Sequence, residues 1–140
     1  MRLYPAKVDT HGLSPITMAF VGDGVYELMV REYLAAEANR PTGTLHKMAV
    51  SRVCAPAQAA AFEKIQPLLT EEELAIFKRG RNAHTARGGA DYHRATGFET
   101  LWGWLYLNDR DERLRELFAV IMSGNPAEEL REVLSKWISC

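Results

Sequence analysis

Between Ile16 and Val30 the chain reads ITMAFVGDGVYELMV, and in this run only Thr17, Asp23 and Glu27 are plainly polar. A helix with so little polar surface is expected to be buried around most of its circumference. One aspartate, Asp23, sits in it between two glycines, Gly22 and Gly24. An aspartate buried without a partner is costly or neutral, so this position predicts either hydrogen bonds or a cation.

The surrounding pattern is helical throughout. Ser14-Pro15 supplies a cap and a first-turn proline, which starts a helix running to about Ala36. After NRPTG, a second helix is expected from Thr42 or Thr44 to about Ile65, carrying Leu45, Met48, Ala49, Val53, Ala57, Ala60 and Ala61. Thr70 followed by Glu71, Glu72 and Glu73 predicts a capping box and a third helix. A fourth is expected from Tyr92 or Ala95 to Leu107, then one through Leu114, Leu117, Phe118 and Ile121, and a last one holding Leu130, Val133, Leu134 and Trp137. No segment alternates like a strand, so the expectation is an all-α fold of about six helices.

At 140 residues, with 47% hydrophobic and 25% charged content, the chain is expected to form one domain, residues 1–140. No apolar run reaches the length of a membrane span, and MRLYPAKVDT lacks a signal-peptide pattern, so a cytoplasmic location and no membrane partner are expected. Cys54 reads as a small core residue and has no metal-ligand spacing to Cys140. The four histidines lack zinc spacing, and no Walker-type loop is present, which disfavours zinc and a nucleotide cofactor. DRDERLRE, Asp109 to Glu116, reads as a solvated helix face laced with ion pairs.

A second carboxylate matches the first. In ATGFETLWGWLYL, Glu99 is the one acid of a mostly apolar helix, with Gly97 and Gly103 on either side. Each helix-interior glycine costs about 1 kcal/mol relative to alanine, and close backbone approach is a compensation. Were the two helices to cross at their glycines, Asp23 and Glu99 would converge on one cation, and few hard oxygen ligands supplemented by water suit Mg²⁺. Glu27 lies one turn from Asp23 and can join it or pair with Arg31. The alternative for Asp23 and Glu99 is that each caps a neighbouring helix or answers a buried arginine.

Charge is uneven along the chain. From Lys78 to Arg94 the segment carries +4, so the remainder carries −5 of the total −1. KRGRNAHTARGG combines arginines with Asn82 and His84, which suits phosphate and ribose contacts. Basic residues also gather at helix C-termini to complement the dipole, and that reading stands beside the first.

MAFVGDGVYE resembles the signature helix of the ribonuclease III catalytic domain, and ATGFETLWGWLYL resembles that family's second acidic motif. LHKMAVSRVCAPAQA (Leu45 to Ala59), KRGRNA (Lys78 to Ala83) and YHRATGFETL (Tyr92 to Leu101) are similar, in the same order, to the short Mini-ribonuclease III branch, which lacks the double-stranded-RNA-binding domain. The resemblance implies a ribonuclease III-type catalytic domain that forms a homodimer and acts as a Mg²⁺-dependent endoribonuclease on double-stranded RNA. Its products would carry 5′-phosphate and 3′-hydroxyl ends, and its implied cellular role is maturing the ends of 23S preribosomal RNA. Asp23 and Glu99 match the family's metal-holding catalytic acids, and Lys78, Arg79, Arg81, Asn82 and His84 are the implied RNA contacts.

Two acids of the larger enzymes are absent: Ala19 stands four residues before Asp23, and Thr96 three before Glu99. The Mini branch resembles this chain in both. No second RNA-binding module is expected after Cys140, so affinity is expected to rest on the dimer valley and the basic segment and to fall steeply with salt. A non-catalytic RNA-binding or ribosome-associated module on the same fold, and a helical interaction domain, remain the rival classes.

Overall fold

Six α-helices follow one another in the computed structural model, which describes residues 1–83 and 88–123. They are α1 (Pro15–Glu37), α2 (Thr42–Val53), α3 (Ala55–Ile65), α4 (Glu71–Asn82), α5 (Ala90–Leu107) and α6 (Asp111–Ile121), with 3₁₀ turns at Thr10–Gly12 and Gln66–Leu68. Among the described residues no strand occurs, as expected. The helix expected around Leu130 to Trp137, and Cys140, lie outside the described residues.

Local chemistry accounts for the helix starts. Ser14 Oγ accepts from the Thr17 N–H at 3.2 Å with Pro15 in the first turn, and Thr70 and Glu73 form the reciprocal capping box at 3.1 and 2.9 Å. The helix expected from 42 or 44 to 65 is instead two helices that part at Cys54, whose backbone is extended. Pro56 is the reason: it has no N–H to continue the ladder, and its ring excludes an unbroken helix through this point. It is tolerated in the first turn of α3. Cys54 is half-buried at this junction. The fourth expected helix starts earlier than the apolar pattern suggests, at Ala90 behind Gly88 and Gly89. Gly88 has a φ of +84°, which a side chain rarely adopts.

α5 is the axis of the molecule. Phe98, Leu101, Trp102 and Leu105 on it are fully buried, and α1, α3, α4 and α6 all pack against it. Its neighbours approach closely because glycines remove the side chains between them. A Cβ on Gly22 would overlap the Glu99 carbonyl oxygen, and one on Gly103 would overlap the Met18 carbonyl oxygen. On the α4 side, a Cβ on Gly80 would overlap Thr100, and one on Gly97 would meet Phe77 at 2.7 Å. The expected crossing at glycines therefore holds for Gly22 and Gly103, whereas Gly24 faces open space. Around the crossing, Tyr26 presents its ring edge-on to Phe98 at 4.9 Å and Trp102 at 5.3 Å, and Phe62 stacks on Phe77 at 3.7 Å.

Two expectations need correction. α1 is not buried around its circumference: Ile16, Phe20 and Leu28 are 48%, 80% and 53% exposed, and Asp23 and Gly24 share their outward face. Hydrophobic content reveals how apolar a helix is, but not whether a second layer covers both of its faces. The DRDERLRE face is also more than solvated. Arg113 makes two 2.8 Å hydrogen bonds to the buried Glu73 carboxylate and donates to the Leu68 carbonyl at 2.7 Å, tying α6 to the start of α4. No described helix is long and apolar enough to cross a membrane.

Candidate active site

The backbone contact between Gly22 and Glu99 sets α1 and α5 at one level, with Asp23 next to the first and Glu99 in the second. Asp23 lies at the surface and Glu99 is half-buried beneath it, with the Asp23 carboxyl close enough to act on that of Glu99. Burial, the adjacent Asp23 carboxyl and its charge push Glu99 up to about 8, while a hydrogen bond from Gln58 acts the other way. The expected convergence of the two acids is thus what the fold produces, although at a surface-open site rather than in a sealed interior.

Such a pair fits a divalent cation. Two neighbouring carboxylates repel one another, a cation between them relieves that repulsion, and the donors are hard oxygens. Around them the ligand set is thin. Ala19 is buried, and the Thr96 hydroxyl is turned to its own helix, donating to the Tyr92 carbonyl at 3.0 Å. Glu27 faces Arg31 at 3.6 Å across one helical turn, which is the structural alternative weighed for it. Among the described residues, no three His, Cys, Asp or Glu side chains cluster as a metal cage. Mg²⁺, which keeps several waters and takes one or two carboxylates, suits a site of this kind. Neither acid caps a neighbouring helix start among those described.

Sequence reasoning passed over Gln58. It lies on α3, is 1% exposed, and its Nε2 donates to Glu99 Oε2 at 3.5 Å. The signal was a lone amide within APAQAAAF, an otherwise apolar helical stretch apart from its proline.

The basic residues stand on the last turns of α4. Lys78, Arg79 and Asn82 are exposed there, and Arg81 bonds Asn82 Oδ1 at 3.1 Å while standing 5.8 Å from the centre of the Phe77 ring. Lys78 and Arg81 join Arg94 in lining a cleft of about 170 Å³ between α3, α4 and α5, where Arg94 pairs with Glu63 at 3.7 Å. Arg79 is not among the cleft-lining residues. His84 lies outside the described residues.

Comparison with known proteins follows the same segments. The Ribonuclease III domain matches residues 17–110, a span that includes α1 from its third residue, α2 to α5 and both acids. The Mini-ribonuclease 3 of Clostridium tetani is 41% identical over 124 residues, covering 84% of this chain and 82% of the relative. That of Thermoanaerobacter sp. is 46% identical over 110 residues, covering 75% and 78% respectively. A crystal structure of a Fusobacterium nucleatum protein, 30% identical, superposes with a TM-score of 0.75 over 85% of this chain and 98% of the other. With the domain matched over most of the chain and relatives 41% and 46% identical over 84% and 75% of it, the chain belongs to the ribonuclease III family, in the Mini-ribonuclease 3 branch, and is an endoribonuclease.

Proposed function

We propose that the chain is a Mg²⁺-dependent endoribonuclease for double-stranded, structured RNA, that it works as a homodimer in the cytoplasm, and that it matures the ends of 23S preribosomal RNA. The observation that carries the reading is the Asp23–Glu99 carboxyl pair, open to solvent on one side and built on two helices locked by their glycines. Elements this rigid hold ligands more accurately than loops do.

Asp23 and Glu99 would hold the Mg²⁺, which supplies Lewis-acid polarisation of a phosphodiester and activation of water. Asp23, at the surface, approaches the substrate side, whereas Glu99 anchors from below. Its raised affinity for a proton means that Glu99 must release one before it can act as a ligand, so cation binding and deprotonation are coupled. Lys78, Arg79, Arg81 and Asn82, with His84, provide phosphate and 2′-hydroxyl contacts. An A-form duplex is read mostly through such contacts and through its shape. Products would carry 5′-phosphate and 3′-hydroxyl ends.

The dimer reading is supported by the outward face of α1. Ile16, Phe20 and Leu28 form an apolar stripe beside Asp23, and a two-fold interface lays one such patch against its own copy. Both acid pairs would then lie close to the subunit boundary, facing a single duplex.

The test is cleavage of a duplex RNA at low salt, with Mg²⁺ or EDTA, by the wild type, Asp23→Asn and Glu99→Gln. Cleavage that needs Mg²⁺ and is lost in both variants is expected, whereas EDTA-resistant cleavage would remove the metal from the reading. Sedimentation of Phe20→Asp should give a monomer, and an unchanged dimer would place the interface elsewhere.

A further inference from the structure

The inward stripe of α3 is Gln58, Ala61, Phe62 and Ile65, at i, i+3, i+4 and i+7 of one helical face and all 5% exposed or less. At the first of these positions an aliphatic side chain of similar volume would fill the same space without a polar group to satisfy. A buried carboxamide is costly unless it is hydrogen-bonded, so its place needs a reason. That reason lies across the helix interface. The Gln58 Nε2 donates to Glu99 Oε2 at 3.5 Å, from the core side, while Asp23 meets the same carboxyl from the solvent side.

We propose that Gln58 is the positioning residue of the carboxylate pair, holding Glu99 Oε2 so that the carboxylate faces Asp23 and a divalent cation between them. The proposal rests on the reading of Asp23 and Glu99 as a metal site. A site with two carboxylates depends heavily on the orientation of each, because Ala19 and Thr96 offer no further carboxylate to compensate for a misplaced one. Glutamate is long and rotatable, and Glu99 stands on a helix whose backbone is fixed by the contacts of Gly22 and Gly103. Only its side-chain torsions remain to be set. An amide suits the task better than lysine or arginine would: it donates to the carboxylate but brings no positive charge to compete with the cation.

The experiment uses the full chain and Mn²⁺ as the probe, measured by calorimetry or electron paramagnetic resonance without RNA. Gln58→Leu is expected to lose about tenfold or more in Mn²⁺ affinity, the usual effect of removing a group that orients a metal ligand. Its melting temperature in EDTA should stay at or above that of the wild type, because leucine fits the apolar stripe. The Mg²⁺ concentration for half-maximal cleavage should rise in parallel, with the maximal rate largely recovered at saturating Mg²⁺. Mn²⁺ affinity equal to that of the wild type would overturn the proposal, since a merely structural Gln58 alters stability and not affinity. Should Gln58→Leu not fold, Gln58→Glu decides the matter. Its third carboxylate must lower the melting temperature in EDTA and Mn²⁺ must restore it, and a variant indifferent to Mn²⁺ overturns the proposal. Asp23→Asn binding Mn²⁺ as tightly as the wild type would instead overturn the metal site itself, and the role of Gln58 with it.

Discussion

The crossing of α1 and α5 can be tested by adding one carbon atom to it. A methyl group at Gly103 would overlap the Met18 carbonyl oxygen and stand 2.8 Å from the carbonyl carbon and 3.0 Å from the Gly22 nitrogen. These neighbours are backbone and cannot rotate aside, so α1 must withdraw by on the order of 1 Å to reach ordinary contact. Overpacking costs roughly 1–3 kcal/mol, and rigid neighbours put Gly103→Ala near the upper end. Better helix propensity returns about 1 kcal/mol. The net expectation is a loss of about 2 kcal/mol, or a Tm lower by about 6 °C for a domain of this size. Gly24→Ala is the control within the same helix pair. Its Cβ meets nothing within 4 Å, so only the propensity term acts, and Tm should rise by about 3 °C. Both variants are melted in EDTA at one protein concentration, followed by far-UV circular dichroism. If Gly103→Ala is as stable as Gly24→Ala, the close approach of the two backbones is not what these glycines provide.

Glu73 is 3% exposed at its side chain and bound by both Arg113 and the Thr70 N–H, so Glu73→Gln should cost about 2 kcal/mol by leaving Arg113 with only the exposed Glu116 as counter-charge. Burial raises the Glu73 carboxyl, but the bonds from Arg113 and Thr70 outweigh it and hold the group below its ordinary value. The stability from Glu73 is therefore present above about pH 4.5 and is lost as pH falls through the lowered value. Acid titration by circular dichroism should show a shallower acid limb in Glu73→Gln than in the wild type. Glu99 has the opposite sign. Burial and Asp23 raise it from 4.5 to about 8, so the metal-free protein should lose stability as pH rises across that window, and Glu99→Gln should remove this slope in melts run with EDTA. Lys78→Ala should weaken duplex RNA binding evenly across sequences and make the salt dependence shallower by about one unit of log–log slope, measured with Ca²⁺ or with Asp23→Asn to prevent cleavage.

The glycine pairs and lone acids of MAFVGDGVYE and ATGFETLWGWLYL pointed to a crossing of two helices and to the meeting of Asp23 with Glu99, because a costly glycine and a costly charge are both visible without coordinates. Caps at Ser14 and Thr70 were equally legible, since they depend on residues within one turn. The break at Cys54 was present in the sequence as Pro56, but helical periodicity on both sides of it masked the interruption. Other features had no local signature. Whether the apolar α1 was covered on one face or on all sides depended on how many helices pack over it, and this left Phe20 and Leu28 outside. Likewise, Arg113 reaches Glu73 forty residues away, and Gln58 reaches Glu99 from a third helix. Local sequence determined the helices, their caps and the cost of each unusual residue, because those terms act within a few residues of the chain. Tertiary structure alone decided which face met solvent and which distant partner answered each buried polar group, because those terms depend on packing between helices that the sequence separates.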